Sequence, residues 1–193
     1  MQIQAKQGGM ALVAALLLLL VLTMLGVGMF RSFGLQEHIA GNTRERQRAL
    51  HAAAVAQSYA EWWLTSDKGA NAQMGITCAT GVPTAPQICN QALANPVNVP
   101  WTTAVSYTPT GMSTGSSNLG VVDNYINAPN FYIQWISGSY DKTSGTAVNN
   151  YLIDADGFAG TTTAAAVVES AYSVNVTYTA QNDRTKFASL GGP

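Results

Sequence analysis

The chain has 193 residues, of which 10% are charged, and a formal net charge of −1. Ordinary soluble proteins carry roughly 25% charged residues, so this surface has little field with which to hold nucleic acid or another polyanion. The length leaves room for one folded domain beside a membrane segment.

The chain opens with a short polar leader, Met1 to Gly9, that meets an apolar run at Met10–Phe30. The run is 21 residues long, has no charge and no Pro, and is interrupted only by Thr23, Gly26 and Gly28. As a helix it measures about 31 Å, close to the hydrocarbon thickness of a bilayer. A secretory signal peptide has a shorter core and a small-x-small cleavage site. Val27-Gly28-Met29-Phe30 offers no such site. Two readings remain. One is a permanent single-pass anchor. The other is a signal cut on the cytoplasmic side, ahead of the run, whose helix later packs in a filament.

A filament spine needs the helix to continue, and the pattern predicts that it does. Ala49, Ala52, Ala53, Ala56, Ala60 and Trp63 recur at helical spacing, with Val55, Tyr59 and Trp62 widening the stripe. No Pro occurs before Pro83, so one helix from Met10 to about Ser66 is expected. Gly26, Gly28, Gly34 and Gly41 are weak points, each costing about 1 kcal/mol against Ala. Arg44, Arg46 and Arg48, next to Glu45, read as a solvated helix face, with contact to a neighbour or to lipid head groups as the alternative.

Asp67–Pro100 reads as loop, with Pro83, Pro86, Pro96 and Pro100. Its cysteines, Cys78 and Cys89, are the two in the chain and flank ten residues, Ala79–Ile88. A disulfide here contributes about 2–3 kcal/mol by loop entropy and persists in an oxidising compartment. A metal pair is the weaker reading, since two thiolates with no nearby His leave a site short of ligands. Strands are expected at Trp101–Thr108, Asn130–Ser137, Tyr151–Ala155 and Tyr172–Thr179, with Thr161–Glu169 leading into the last. Asp156-Gly157-Phe158-Ala159-Gly160 supplies turn chemistry for a hairpin. Pro109–Gly120 and Asp141–Asn150 read as surface loops, and Ala180–Pro193 as a loose polar tail. The fold class expected is α+β: a long N-terminal helix packed on an antiparallel β-sheet of about four strands.

Catalytic patterns are thin. His38 and His51 stand 13 residues apart on the long helix, and no Gly-x-Ser-x-Gly, P-loop or HExxH pattern occurs. Asp154-Ala155-Asp156-Gly157 has a faint likeness to a calcium loop, but Ala165 stands where the loop's last Glu belongs, so an Asx-type turn is preferred. No catalytic residue, metal site or cofactor is expected.

Gly9 followed by Met10-Ala11-Leu12-Val13 and a Leu-rich run resembles the prepilin peptidase site of type IV pilins. Leu22-Thr23-Met24-Leu25-Gly26, Met29-Phe30-Arg31, Leu35-Gln36-Glu37-His38-Ile39-Ala40-Gly41-Asn42, Arg44-Glu45-Arg46 and Ala52-Ala53 are more specific. They resemble the N-terminal region of PilX-type minor pilins over roughly residues 7–54. Tyr151–Ala155 and Val168-Glu169-Ser170 carry a fainter likeness to the same family's last hairpin.

The resemblance implies cleavage between Gly9 and Met10, methylation of the freed amine, and a pilin-like fold. Its domains would be a leader (1–9), a transmembrane helix (10–30), a helical continuation (31–66) and a periplasmic head (67–193). It implies a single pass through the inner membrane, then a place in the pilus. The partners implied are other minor pilins, the major pilin, the prepilin peptidase, the inner-membrane assembly platform, a tip adhesin, and membrane lipid before assembly, with no direct contact to nucleic acid. One position departs from the pilin pattern. The fifth residue after the cleavage site is usually Glu, and here it is Ala14. K-type pseudopilins of type II secretion also lack this Glu and sit at the filament tip, so Ala14 points to an initiating or capping subunit. A minor pseudopilin and a membrane-anchored periplasmic binding protein are the alternatives. The positive-inside rule pulls the other way, with Lys6 before the run and Arg31, Arg44, Arg46 and Arg48 after it. The last three lie 14 or more residues beyond the run, at the edge of the rule's reach.

Overall fold

The structure is a computed structural model and describes residues 8–66, 74–78, 81–115 and 124–177. Among the described residues are one helix, α1 (Gly8–Thr65), and seven strands: β1 (Ile88–Cys89), β2 (Val105–Ser106), β3 (Ser113–Thr114), β4 (Asn124–Tyr125), β5 (Asn130–Asp141), β6 (Thr146–Phe158) and β7 (Ala165–Thr177). The chain divides into two compact units, residues 1–44 and residues 45–193.

The first unit is helical throughout its described part. α1 runs unbroken through Gly26, Gly28, Gly34 and Gly41. No residue in its most apolar 18-residue window, of mean hydropathy 2.8, is buried within the chain. Thr23 donates its hydroxyl to the Leu20 carbonyl at 2.8 Å, and Thr43 donates to Ile39 at 2.8 Å. Both hydroxyls are thereby satisfied inside the helix, which for Thr23, within the apolar run, is what an apolar surrounding requires.

The second unit is α+β. Its main sheet has the order β1-β5-β6-β7, with β2 also paired to β5, and β3 and β4 form a separate two-stranded ladder. β5, β6 and β7 are antiparallel neighbours, whereas β1 joins β5 in parallel, which makes the sheet mixed. The stripe predicted for the helix is the packing surface. Ala49, Ala52, Ala53, Ala56 and Ala60 are fully buried, and Leu64 nearly so. Ala56, Ala60 and Leu64 cluster with Tyr151, Ile153 and Ala155 of β6 and Phe131 and Ile133 of β5. These β6 residues alternate, so they share one face of the pleated sheet.

Three local expectations change. Asp156-Gly157-Phe158 is not a turn: all three residues lie in β6, and the connection to β7 falls at residues 159–164. Gly157 is there for a different reason. A Cβ at this position would collide with the Ala49 carbonyl oxygen and the Ala53 nitrogen of α1, so only glycine lets the helix come this close. Asp141–Asn150 is not a loop either. β5 extends to Asp141 and β6 begins at Thr146. The Asp141 carboxylate accepts the Thr143 N–H and the Ser144 hydroxyl, both at 2.8 Å, and Gly145 takes φ of 68°, which closes a tight hairpin. Finally, Trp101–Thr108 holds strand only at Val105–Ser106, while Asp67–Pro100 contributes β1 at Ile88–Cys89. The tail expected at 180–193 lies outside the described residues.

Candidate functional site

The residues singled out for assembly open the first unit. Gly9 and Met10 lie in the first turns of α1, and Met10 is 85% exposed. Residues 1–7 of the expected leader lie outside the described residues. Ala14 follows on the same helix and is exposed, and no ionisable side chain occurs from Met10 to Phe30. Leu12, Val13, Leu16–Val21, Met24, Leu25 and Phe30 are all more than two-fifths exposed. Glycines in the same unit have open space above them. A Cβ built at Gly26, Gly28, Gly34 or Gly41 meets nothing within 4 Å. This helix therefore offers an apolar surface with shallow places where another helix backbone could approach.

The second unit binds its stretch of α1 with polar contacts as well as the Ala stripe. Glu45 accepts the Gly160 N–H at 2.8 Å and pairs with Arg48 at 2.9 Å. Arg48 also donates Nη2 to the Asn124 carbonyl at 2.7 Å and lies 4.8 Å over the Tyr125 ring. The solvated-face reading thus splits the arginine cluster. Arg44 and Arg46 are exposed, but Arg48 is anchored within its own chain. Further along, Ser170 of β7 donates to Glu61 at 3.3 Å. Trp63 packs against the core, whereas Trp62, expected to join it, is 58% exposed. His38 and His51 are both exposed on α1.

Cys78 and Cys89 are bonded, with their Cα atoms 5.3 Å apart. Cys89 is fully buried in β1, where it clusters with Trp101, Ala104 and Tyr132. Tyr132 donates its hydroxyl to the Gln91 carbonyl at 2.9 Å, and the Cys78 N–H donates to the Gln91 side chain at 3.0 Å. The disulfide segment is thereby tied to the face of the sheet opposite the helix.

That face carries two buried carboxyls. Asp154 and Asp156 are 2% and 0% exposed. They are strand residues, not members of a turn, and no group of three or more His, Cys, Asp or Glu among the described residues is placed to hold a metal. Asp156 is a structural tie. Its Oδ1 accepts the Asn130 backbone N–H at 2.9 Å and the Asn130 side-chain amide at 2.8 Å. Burial raises its pKa and these donors oppose the rise. Asp154 has no such donors. Burial, followed by the charge of Glu169 and a carboxyl–carboxyl hydrogen bond to it, pushes its pKa up to about 6.

Residues 8–57 match the family model described as PilX N-terminal. The chain carries the N-terminus of a PilX-type type IV pilin. The match takes in the bare apolar helix, the glycines, Glu45, Arg48 and the first half of the Ala stripe. Proteins of this type are structural subunits that work by contact with other pilins, and the helix fits the single-pass anchor typical of them. Searches of curated proteins and of solved structures find no match. The anchoring roles of Arg48 and Gly157 escaped the sequence pattern. Arg48 sat among other arginines, and the Asp-Gly pair at 156–157 imitated a turn.

Proposed function

We propose that this chain is a minor pilin that helps to initiate or cap a type IV pilus near its tip, acting with other minor pilins and a tip adhesin. The role is assembly, without catalysis. The prepilin peptidase would cut between Gly9 and Met10. The helix at 10–30 would then hold the protein in the inner membrane, with the continuation at 31–66 and the head at 67–193 on the periplasmic side. Extraction by the assembly platform would exchange lipid for the helices of neighbouring pilins and carry the head to the cell surface.

One observation carries the tip reading: Ala14 is an apolar residue where pilins usually hold a carboxylate, on a helix with no ionisable group from Met10 to Phe30. A carboxylate within a bilayer is expensive and is kept when it has a partner to meet. In a bulk pilin that partner is the amine of a subunit already in place. A first subunit has no predecessor, so Ala14 loses nothing. The glycines with open space above them support the exchange of lipid for helix, because small residues let apolar helices approach closely.

The test is an Ala14→Glu variant expressed in place of the wild-type chain. Pilus number and co-purification of the other minor pilins should both fall, since the new carboxylate would have to be buried in the membrane or the filament core. Wild-type assembly and wild-type partner recovery would sink the tip reading while leaving membership of the pilus open.

A further inference from the structure

The outer face of the sheet holds a row of three side chains across three strands. Asp154 of β6 lies opposite Tyr132 of β5 and opposite Glu169 of β7 in the strand register. Residues opposite one another point to the same face. Asp154 is buried and Glu169 is exposed. The Asp154 Oδ1 atom has no hydrogen-bond partner. Asp156, two residues along the strand, is already committed to Asn130. The segment that covers this face brings no compensating charge: described residues 74–78 and 81–115 contain no Lys, Arg, His, Asp or Glu. On the helix side, Arg48 is engaged by Glu45 and Asn124. Lys142 sits in the β5–β6 turn, well along the strands from Asp154. With two carboxyls on neighbouring strands, one of them out of water and neither offered a cation by the described residues, the buried one favours its protonated form.

The pair is connected to the disulfide segment through its neighbours. Tyr132, beside Asp154, donates to Gln91 and packs with Cys89, Trp101 and Ala104. The Trp101 backbone is also among the groups that hold the Asp156 pKa down against its burial. A charge on Asp154 therefore acts beside Tyr132, whose hydroxyl and ring help to seat residues 88–104.

We propose that Asp154 and Glu169 form a proton-operated clasp: with Asp154 protonated against Glu169 the disulfide segment stays seated on the sheet, and loss of that proton loosens it. Protonated, Asp154 is a neutral donor to Glu169, and burial beneath the segment is tolerated. Deprotonated, two anions face each other on adjacent strands, and the buried one gains by drawing water in under the segment. The protein would thus present a firmer head in mildly acidic surroundings than in neutral ones. Burial and the Glu169 charge place the transition near pH 6.

The experiment is a titration of the full chain in detergent micelles from about pH 4 to about pH 8, followed by carboxyl-carbon NMR and by amide exchange corrected for intrinsic rates. The Asp154 carboxyl should titrate near 6. Protection of Cys89, Gln91 and Trp101 should fall several-fold through the same midpoint, while that of Ile133 and Ile153 stays level. Asp154→Asn should remove the step and keep the segment protected throughout. Glu169→Gln, a change at an exposed side chain, should move the midpoint down without abolishing it, and it carries the test if the Asp154 variant does not fold. An Asp154 carboxyl titrating near 4, or segment protection indifferent to pH in the wild type, or a step that survives Asp154→Asn, would overturn the proposal.

Discussion

The two ends of α1 solve opposite problems with similar residues. From Met10 to Phe30 the helix is rich in exposed large apolar side chains, and its glycines have open space above them. From Ala49 to Leu64 it presents a stripe of alanines that the sheet covers completely. Small residues appear in both parts, but the alanines of the second are buried, whereas a Cβ at Gly26 or Gly28 of the first meets nothing within 4 Å. The difference teaches where each part obtains its stability. The second end is fixed by its own core and polar ties. The first keeps its apolar side chains exposed, which fits the single-pass anchor typical of pilins.

The comparison is broken most severely at Gly157. Gly157→Ala should destabilise the second unit by about 3 kcal/mol or more, because its Cβ meets backbone atoms of α1 that cannot swing aside. Thermal unfolding of the full chain in detergent, followed by near-UV circular dichroism, would show it. The charged face of the sheet is next. Asp154 has a folded-state pKa raised above its unfolded value, so the native state holds the proton more tightly. Stability is then fully favoured below the unfolded value near 4 and is lost as pH rises through about 6. The loss should amount to about 2–3 kcal/mol by pH 8, seen as a fall in denaturation midpoint between pH 4 and pH 8 that Asp154→Asn removes. Reducing Cys78–Cys89, which lie 11 positions apart, should cost a similar amount, about 2–3 kcal/mol, measured by unfolding with and without reductant.

Smaller effects sharpen the contrast. Arg48→Ala should cost about 1–2 kcal/mol, since it removes the bonds to Asn124 and Glu45 and the contact with Tyr125. Arg46→Ala, at an exposed position on the same helix, should stay within about 0.5 kcal/mol. At the apolar end, Gly26→Ala should leave the second unit's unfolding unchanged and, if anything, firm the helix by up to about 1 kcal/mol. A glycine-to-alanine change thus ruins one end of the helix and spares the other.

Much of this was legible in the sequence where a pattern repeats. The apolar run announces itself by length, and the stripe from Ala49 to Ala60 by its helical period. The long strand at Tyr172–Val176 shows by alternation, because one of its faces is wet. Legibility failed where a local signal had a tertiary cause. Asp156-Gly157 has the composition of a turn, but its glycine answers to a helix more than a hundred residues earlier in the chain. Asn149 and Asn150 look like loop residues, yet they lie in β6, and Asn150 bridges Ser137 of β5 and Ser173 of β7. The short strands β1 and β2 have no period to read, since two residues cannot show one, and they exist because β5 offers them an edge. The Asp154–Glu169 pair needed the strand register, as 15 positions separate the two residues.

The central claim is that the apolar end of α1 is an assembly helix released by cleavage after Gly9. Intact-mass spectrometry of the protein from its native membrane, with and without the prepilin peptidase, tests it most directly. The account predicts a mass reduced by residues 1–9, allowing for a methyl group on the new amine, and only when the peptidase is present. A chain that keeps its leader under both conditions would contradict it and would make α1 a permanent anchor.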